Sequence, residues 1–459
     1  MKRCHNTLII IATAMLVAAC SGTRNLTAPE VELPDTYNDN GAVDTLSIAD
    51  IEWWHFFSDS TLAGMINEAL LHNKDIQVAA ARVSELEAMY GVDKLVYLPT
   101  LSAVVGATSE TNDYYNESSS RDTEISVKAR LNWEIDLWGG LSNKKKGSEA
   151  RYRASVEDRR AMEMTIIAQT ATAYFNLVAL QNELNIVKRT MITREESLQK
   201  AYLRFQGGMT SEIVYQQAKV ELATTAALVP GLNRRITLAK NALSLLMGRL
   251  PDDMWTLSYY TLDENLPERV PLGVPSSLLE RRPDLRASEQ RLKSALAAVG
   301  VAYSNRFPNL TIGITGGWEN DELKKLFSSP FSYLLGNISG TVLDFGRNKR
   351  RYKASIAAYE QARFTYEKNV LQAFTEVDNA VESYRQLQLT AARRRELRDA
   401  ALKYVDLANI QYIGGSISYI DVLDASRRYF DAQINYSNAV RDEYLALVEL
   451  YRSLGGGWN

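Results

Sequence analysis

Glycine and proline interrupt helices, and in this chain of 459 residues they are withheld from two long stretches. Residues 148–206 and 347–413 contain neither, which makes uninterrupted runs of 59 and 67 residues. Against an ordinary usage of roughly 12% for the pair, such gaps predict two unbroken helices. At about 1.5 Å per residue each would be roughly 90–100 Å long, several times the width of a compact domain. An ordinary globular multidomain enzyme is therefore a poor fit.

Each run ends at a glycine pair, Gly207-Gly208 and Gly414-Gly415, the residues that stop and reverse a helix. Return helices are expected over 212–229 and onward, and over 419–454. Apolar residues recur at three- and four-residue spacing, as in Ile166, Ala173, Leu177, Leu180 and Leu184, and again in Ala373, Val377, Ala380 and Tyr384. Such stripes pack against neighbouring helices. Each half of the chain thus makes a long antiparallel hairpin.

The halves are copies. Asp75-Ile76 corresponds to Asp284-Leu285, and Leu98-Pro99-Thr100-Leu101 to Phe307-Pro308-Asn309-Leu310, at an offset of 209. Trp138-Gly139 matches Phe345-Gly346, and Phe205-Gln206-Gly207-Gly208 matches Tyr412-Ile413-Gly414-Gly415, at an offset of 207. A period this long marks duplication of a large unit rather than a solenoid. Each unit reads helix, two strands, very long helix, helix.

The clearest strand is Ile125 to Ile135, where apolar residues alternate with Ser126, Lys128, Arg130, Asn132 and Glu134. Strict alternation is the signature of a strand with two unlike faces. The length suits a tilted membrane strand of about 9–11 residues, and Lys128, Arg130 and Glu134 suit a water-filled lumen. Its partner is Leu101 to Thr108, across a polar loop from Thr111 to Asp122. In the second unit the strands are Leu310 to Trp318 and Leu334 to Leu343, the last with Ile338, Gly340 and Val342 facing outward. Half-buried strands of a soluble sheet are the alternative. Four strands cannot close a membrane barrel, whose minimum is about eight, so membrane-spanning strands require two or more copies.

The amino terminus carries Lys2 and Arg3, an apolar run from Leu8 to Val17, and Ala18-Ala19-Cys20, the marks of a secretory signal. Leu16 to Cys20 resembles a bacterial lipobox, implying cleavage before Cys20 and acylation of that residue. Cys4 and Cys20 are the only cysteines, so no disulfide framework is expected. With 52 basic against 55 acidic residues there is no basic excess to suggest nucleic acid. His5, His55 and His72 are the only histidines, and no metal-spaced cluster, nucleophile elbow or phosphate loop is present. No enzyme activity, cofactor or metal is expected.

Further motifs are Trp53-Trp54 with Phe57 and Asp59, Asp136 to Gly139, the run Leu278-Leu279-Glu280-Arg281-Arg282-Pro283-Asp284-Leu285, the segment Gly415 to Ala425, and the ending Leu454 to Trp458. With the duplication and the lipobox they resemble the TolC-like outer-membrane efflux factors, lipoprotein branch. The resemblance implies a mainly helical homotrimer in the Gram-negative outer membrane. Its twelve-stranded β-barrel would continue as a periplasmic α-helical barrel. It also implies a passive conduit that receives small molecules from an inner-membrane pump of the resistance-nodulation-division class through a periplasmic adaptor protein. Outer-membrane lipid would be engaged through acylated Cys20. The corresponding organisation is a signal peptide at 1–19, a lipidated linker at 20–50 and a first repeat at 51–247, with strands near 100–109 and 124–135. An equatorial connector at 248–275, a second repeat at 276–454 with strands near 309–318 and 334–344, and a tail at 455–459 follow. A periplasmic adaptor or coiled-coil structural lipoprotein is the competing reading.

The resemblance places the glycine turns at the periplasmic tips and assigns a gate to Asp421, Asp424 and Tyr412. Three-residue spacing puts both carboxylates on one helix face, and a trimer would gather six of them, favouring cations. Asp421 also reads as the third residue of a capping box begun by Ser418. The first repeat carries Val214 and Gln217 at these positions. Ile417 stands where the TolC-type gate carries an arginine, which implies closure by packing rather than by a salt bridge there.

Overall fold

A computed structural model describes residues 47–56, 59–112, 115, 120–251, 262, 266–267, 270–341 and 343–458. The signal segment, Cys20 and most of the 20–50 linker lie outside these residues, as does Phe57. The elements are α1 (Ser60–His72), α2 (Lys74–Leu95), β1 (Thr100–Asn112), β2 (Ser120–Ile135), α3 (Gly140–Gln206), α4 (Glu212–Ala226), α5 (Leu228–Leu246), α6 (Pro283–Ser304), β3 (Asn309–Asn320), β4 (Pro330–Ser339), α7 (Arg347–Ile413) and α8 (Tyr419–Ser453). Lys74 and Pro283, and Thr100 and Asn309, stand 209 apart; Gly140 and Arg347, and Glu212 and Tyr419, stand 207 apart. The duplication read from motifs is thus repeated element by element. Among the described residues no helix is long and apolar enough to cross a membrane.

The chain divides into two compact units. One comprises, among the described residues, Ala81–Val156 and Arg286–Lys368. It holds a four-stranded antiparallel sheet in the order β1-β2-β3-β4. On β2 the residues Ile125, Val127, Ala129, Leu131, Trp133 and Ile135 share a face, and the register brings Leu310, Ile312, Ile314 and Trp318 of β3 onto it. The opposite face carries Glu124, Lys128 and Glu319, joined by salt bridges of 2.6 and 3.2 Å from the Lys128 ammonium. In the row Val104–Lys128–Gly317–Phe331, Gly317 has no room for a side chain, because a Cβ there would lie 2.1 Å from the Val127 carbonyl oxygen. Its absence lets Lys128 reach across to the Phe331 ring, 5.6 Å from the centroid, a cation–π contact.

Three strands run longer than their alternation predicts: β1 and β2 extend into the segment read as loop, to Asn112 and from Ser120, and β3 runs from Asn309 to Asn320. The fourth is displaced. β4 occupies Pro330–Ser339 rather than Leu334 to Leu343, so Gly340 falls beyond its end and residue 342 lies outside the described residues. The ladder with β3 stops at Asn309↔Ser339 because the next residue of the partner strand, Pro308, has no N–H to donate. Ile338 keeps the predicted outward face, joined by Leu334 and Gly336.

Both long helices begin at an aspartate. Asp136 accepts from the Leu141 and Ser142 amides at 3.0 and 2.8 Å, and Asp344 from those of Gly346 and Asn348 at 2.8 and 2.9 Å. These carboxylates satisfy N–H groups that a helix start leaves without partners. At the Asp344 carboxyl this holds the pKa below its ordinary value.

The second unit comprises Glu32–Ala80, Glu157–Leu285 and Asn369–Asn459. Its core gathers Trp53, Leu62, Ile66, Tyr174, Leu278 and Leu450, with Phe56 stacked on Tyr451 at 4.3 Å and the Tyr174 hydroxyl donating to Asp59. The Leu278–Leu285 motif is a structural clasp. Buried Arg282 meets Asp284 at 2.7 Å and Glu376 at 2.8 Å, and Trp458 donates to the Arg281 carbonyl at 2.8 Å. The return helix of the first repeat is broken at Ala227 into α4 and α5, since Pro230 in the first turn of α5 cannot donate to the carbonyl four residues back.

Candidate functional site

The two glycine turns are the same motif written twice. After α3 the Gly208 amide donates to Phe205 at 3.0 Å and the Met209 amide to Arg204 at 2.9 Å; after α7 Gly415 donates to Tyr412 at 3.0 Å and Ser416 to Gln411 at 2.9 Å. This paired closure is the Schellman motif, which needs a left-handed residue just past the helix. Gly208 at φ 67° and Gly415 at φ 72° supply it. Gly207 and Gly414 remain right-handed caps.

Of the residues assigned to the gate, Asp421 does what its position in a capping box predicts. Its carboxylate accepts from the Ser418 amide at 2.9 Å and from the Ser418 hydroxyl at 2.7 Å. Asp424, one turn on, is half-exposed and takes the Arg428 guanidinium at 2.8 Å. That hydrogen bond raises the Arg428 pKa. Tyr412 accepts through its hydroxyl from Arg204 at 3.0 Å, with the guanidinium 5.3 Å from its ring. Ile417 packs with Val405, Tyr412 and Tyr419 against buried Ala408, Val422 and Ala425, the packing its apolar side chain implies.

A charged cluster that motif reading missed sits beside these residues. Buried Glu221 of α4 takes Arg194 of α3 at 3.1 Å and the Nε of Arg427 of α8 at 2.6 Å. Burial lowers the Arg194 pKa, and the Glu221 charge opposes that shift; the hydrogen bond to Glu221 raises that of Arg427. Arg194 also lies over the Phe430 ring at 5.3 Å. A cavity of ≈ 640 Å³ opens here, with Arg194, Arg204, Glu221, Tyr412, Tyr419 and Phe430 in its wall. Burial pushes the Tyr419 hydroxyl pKa up. The available signal was charge contrast between repeats: Glu221 stands 207 residues before Arg428, so one return helix carries acid where the other carries Arg427-Arg428.

A sheet apolar on one face and charged on the other, in a duplicated chain of helical hairpins reversed at glycine turns, defines a TolC-like channel subunit. The family model described as outer membrane efflux protein matches residues 65–249 and 274–456, and the chain belongs to that family. The pyoverdine export outer membrane protein OpmQ of Pseudomonas putida is 28% identical over 98% of this chain and 97% of its own. The solvent efflux pump outer membrane protein SrpC of Pseudomonas putida is 30% identical over 88% and 87%. The probable outer membrane lipoprotein SilC of Salmonella typhimurium is 26% identical over 98% of each. In the solved structure of the outer-membrane channel OprN the fold recurs with a TM-score of 0.84 at 26% identity, covering 94% of this chain and 99% of that one. The protein is an outer-membrane efflux channel subunit, and the adaptor or coiled-coil scaffold reading falls.

Proposed function

We propose that three copies of this chain form one channel, their twelve strands closing a barrel in the outer membrane and their helices continuing it through the periplasm. The channel is a passive conduit for small molecules delivered by an inner-membrane pump of the resistance-nodulation-division class through a periplasmic adaptor. Cys20 is acylated and anchors the amino terminus in outer-membrane lipid. Repeats at 51–247 and 276–454 supply the walls, and 248–275 joins them. Gly207-Gly208 and Gly414-Gly415 form the periplasmic tips. There Tyr412 and Asp424 serve the gate directly and Asp421 through its cap.

The observation that carries this reading is the sheet. The sheet, apolar on one face and carrying Glu124, Lys128 and Glu319 on the other, leaves β1 and β4 as open edges, and a barrel is the structure that removes edges in lipid. The test is fractionation of cells producing the protein, with gel migration before and after heating. Recovery in the outer membrane as a heat-labile trimer, and restored export with a cognate adaptor and pump in a channel-deleted strain, are the expected results. A monomer in the periplasmic fraction refutes the reading.

A further inference from the structure

The duplication fixes how two copies meet. Within the protomer, the offsets of 209 for β1→β3 and 207 for β2→β4 convert the first hairpin's register into the second's. The pair Leu101↔Leu131 becomes Leu310↔Ile338, and Thr100↔Asn132 becomes Asn309↔Ser339; both are observed. The same conversion applies to the junction between repeats, β2 against β3. Its counterpart is β4 against β1, two edges that do not meet in one chain. Leu131↔Ile314 then becomes Ile338 opposite Val105, and Lys128↔Gly317 becomes Leu335 opposite Thr108.

We infer that β4 of one protomer pairs antiparallel with β1 of a second copy in this register, Ile338 facing the partner's Val105 and Asn337 the partner's Gly106. The inference rests on the trimeric channel proposed above and adds the residue-level junction. Faces agree: Leu334, Gly336 and Ile338 come beside the partner's Ser109, Ala107 and Val105, all on the apolar side. A slip of one residue would turn every side chain to the wrong face, so the competing registers are slips of two.

A second contact follows from the same conversion. At the internal junction Trp138 stacks on Phe307 at 4.6 Å and donates to the Pro308 carbonyl at 2.8 Å. The counterparts are Phe345 and Leu98, which in the single protomer are 85% and 59% exposed. In this junction the partner's Leu98 covers the exposed Phe345 ring, as Phe307 covers Trp138.

Cysteine pairs test the register. Asn337→Cys is combined with Gly106→Cys, or with Val104→Cys or Thr108→Cys for the two slips. Gly106 has room, its nearest neighbour to a built Cβ being the Ser126 hydroxyl at 3.9 Å. Directly opposite positions come within reach of a disulfide and diagonal ones do not. After mild oxidation of outer-membrane fractions, the Asn337/Gly106 pair should give a covalent trimer on boiled, non-reducing gels in at least tenfold greater yield than either slip.

Equal or greater linking by a slipped pair overturns the register, as does no linking by any pair in a sample that runs as a trimer before heating. An unheated wild-type protein that runs as a monomer overturns the channel reading itself, and the inference with it. A measurement independent of cysteine assembly uses Phe345→Ala and Leu98→Ala singly and together. Trimer dissociation temperature should fall with either and no further with both, whereas additive falls refute the contact.

Discussion

The tip of the hairpins makes a quantitative prediction. Arg194 lies over the Phe430 ring, and two further contacts join the first repeat to the second there: Arg204 to Tyr412 and Glu221 to Arg427. Both are weak. Arg204 is exposed and its hydrogen bond is to a neutral hydroxyl, so with the ring contact it contributes about 1 kcal/mol. The Arg427 side chain is 55% exposed, and solvent screening limits its pairing to about 1 kcal/mol. On the gate proposed above, removing both by Arg204→Gln and Arg427→Gln withdraws about 2 kcal/mol per protomer from the closed arrangement, a shift of roughly 30-fold toward the open one for each protomer.

Glu221→Gln acts differently. It also strips Arg194 of its carboxylate, and Arg194 is only 11% exposed; an uncompensated buried charge costs about 3–5 kcal/mol. That loss falls inside the α3–α4 hairpin rather than between the repeats. The assay pairs single-channel conductance in planar bilayers with hydrogen exchange over residues 190–225. The double arginine variant should raise the open fraction with exchange in that segment unchanged, while Glu221→Gln should raise both. Unchanged gating in the double variant, or equal loss of protection in the two proteins, refutes the division into weak cross-repeat and strong intra-hairpin contacts.

Four further outcomes are expected. Asp424→Ala should reduce the cation-to-anion permeability ratio, read as the reversal potential in a salt gradient. Asp421→Ala should instead loosen the start of α8 by about 1 kcal/mol through loss of its cap, seen as faster amide exchange there. Arg282→Ala removes the buried cation that joins Asp284 and Glu376 and should lower the melting temperature, with Arg282→Lys rescuing only part. Burial raises the pKa of Glu443, with Gln388's hydrogen bond opposing. The folded state therefore holds that proton more tightly than the unfolded one, and stability is lost as pH rises through the raised pKa. Comparing melting curves across pH, Glu443→Gln should flatten this dependence.

The helices were legible because their signal is local: glycine and proline are absent from 148–206 and 347–413, and glycine pairs follow. So was β2, whose alternation is unbroken. β4 was misplaced because Tyr333-Leu334-Leu335 breaks alternation and because its end is set by Pro308 on the partner strand, a non-local constraint. Asp421 was legible as two things at once, and only the Ser418 contacts distinguish them. Arg204 and Tyr412 are 208 residues apart, and Glu221 and Arg427 are 206 apart. No periodicity in one helix links such residues; only superposing the repeats brings them near each other.

That superposition also separates two demands on a duplicated channel. At the strands the copies are interchangeable: Asp136 and Asp344 both cap, Gly139 and Gly346 both take positive φ, and the hairpin register carries over residue for residue. A closed barrel needs this, since each junction must repeat the last. At the tip the copies have diverged. The first repeat offers Arg204 and Glu221, the second Tyr412 and Arg427, and the counterparts of Asp421 and Asp424 are Val214 and Gln217. The ion pair and hydrogen bond that cross between the repeats there are made by exposed or half-exposed arginines, while Arg194, which also lies over the Phe430 ring, is held with Glu221 in one hairpin. The buried carboxylate is never left without a cation. Those two contacts therefore oppose a parting of the repeats by about 2 kcal/mol per protomer, where an arrangement with Glu221 paired only across the repeats would have to strand it at about 3–5 kcal/mol.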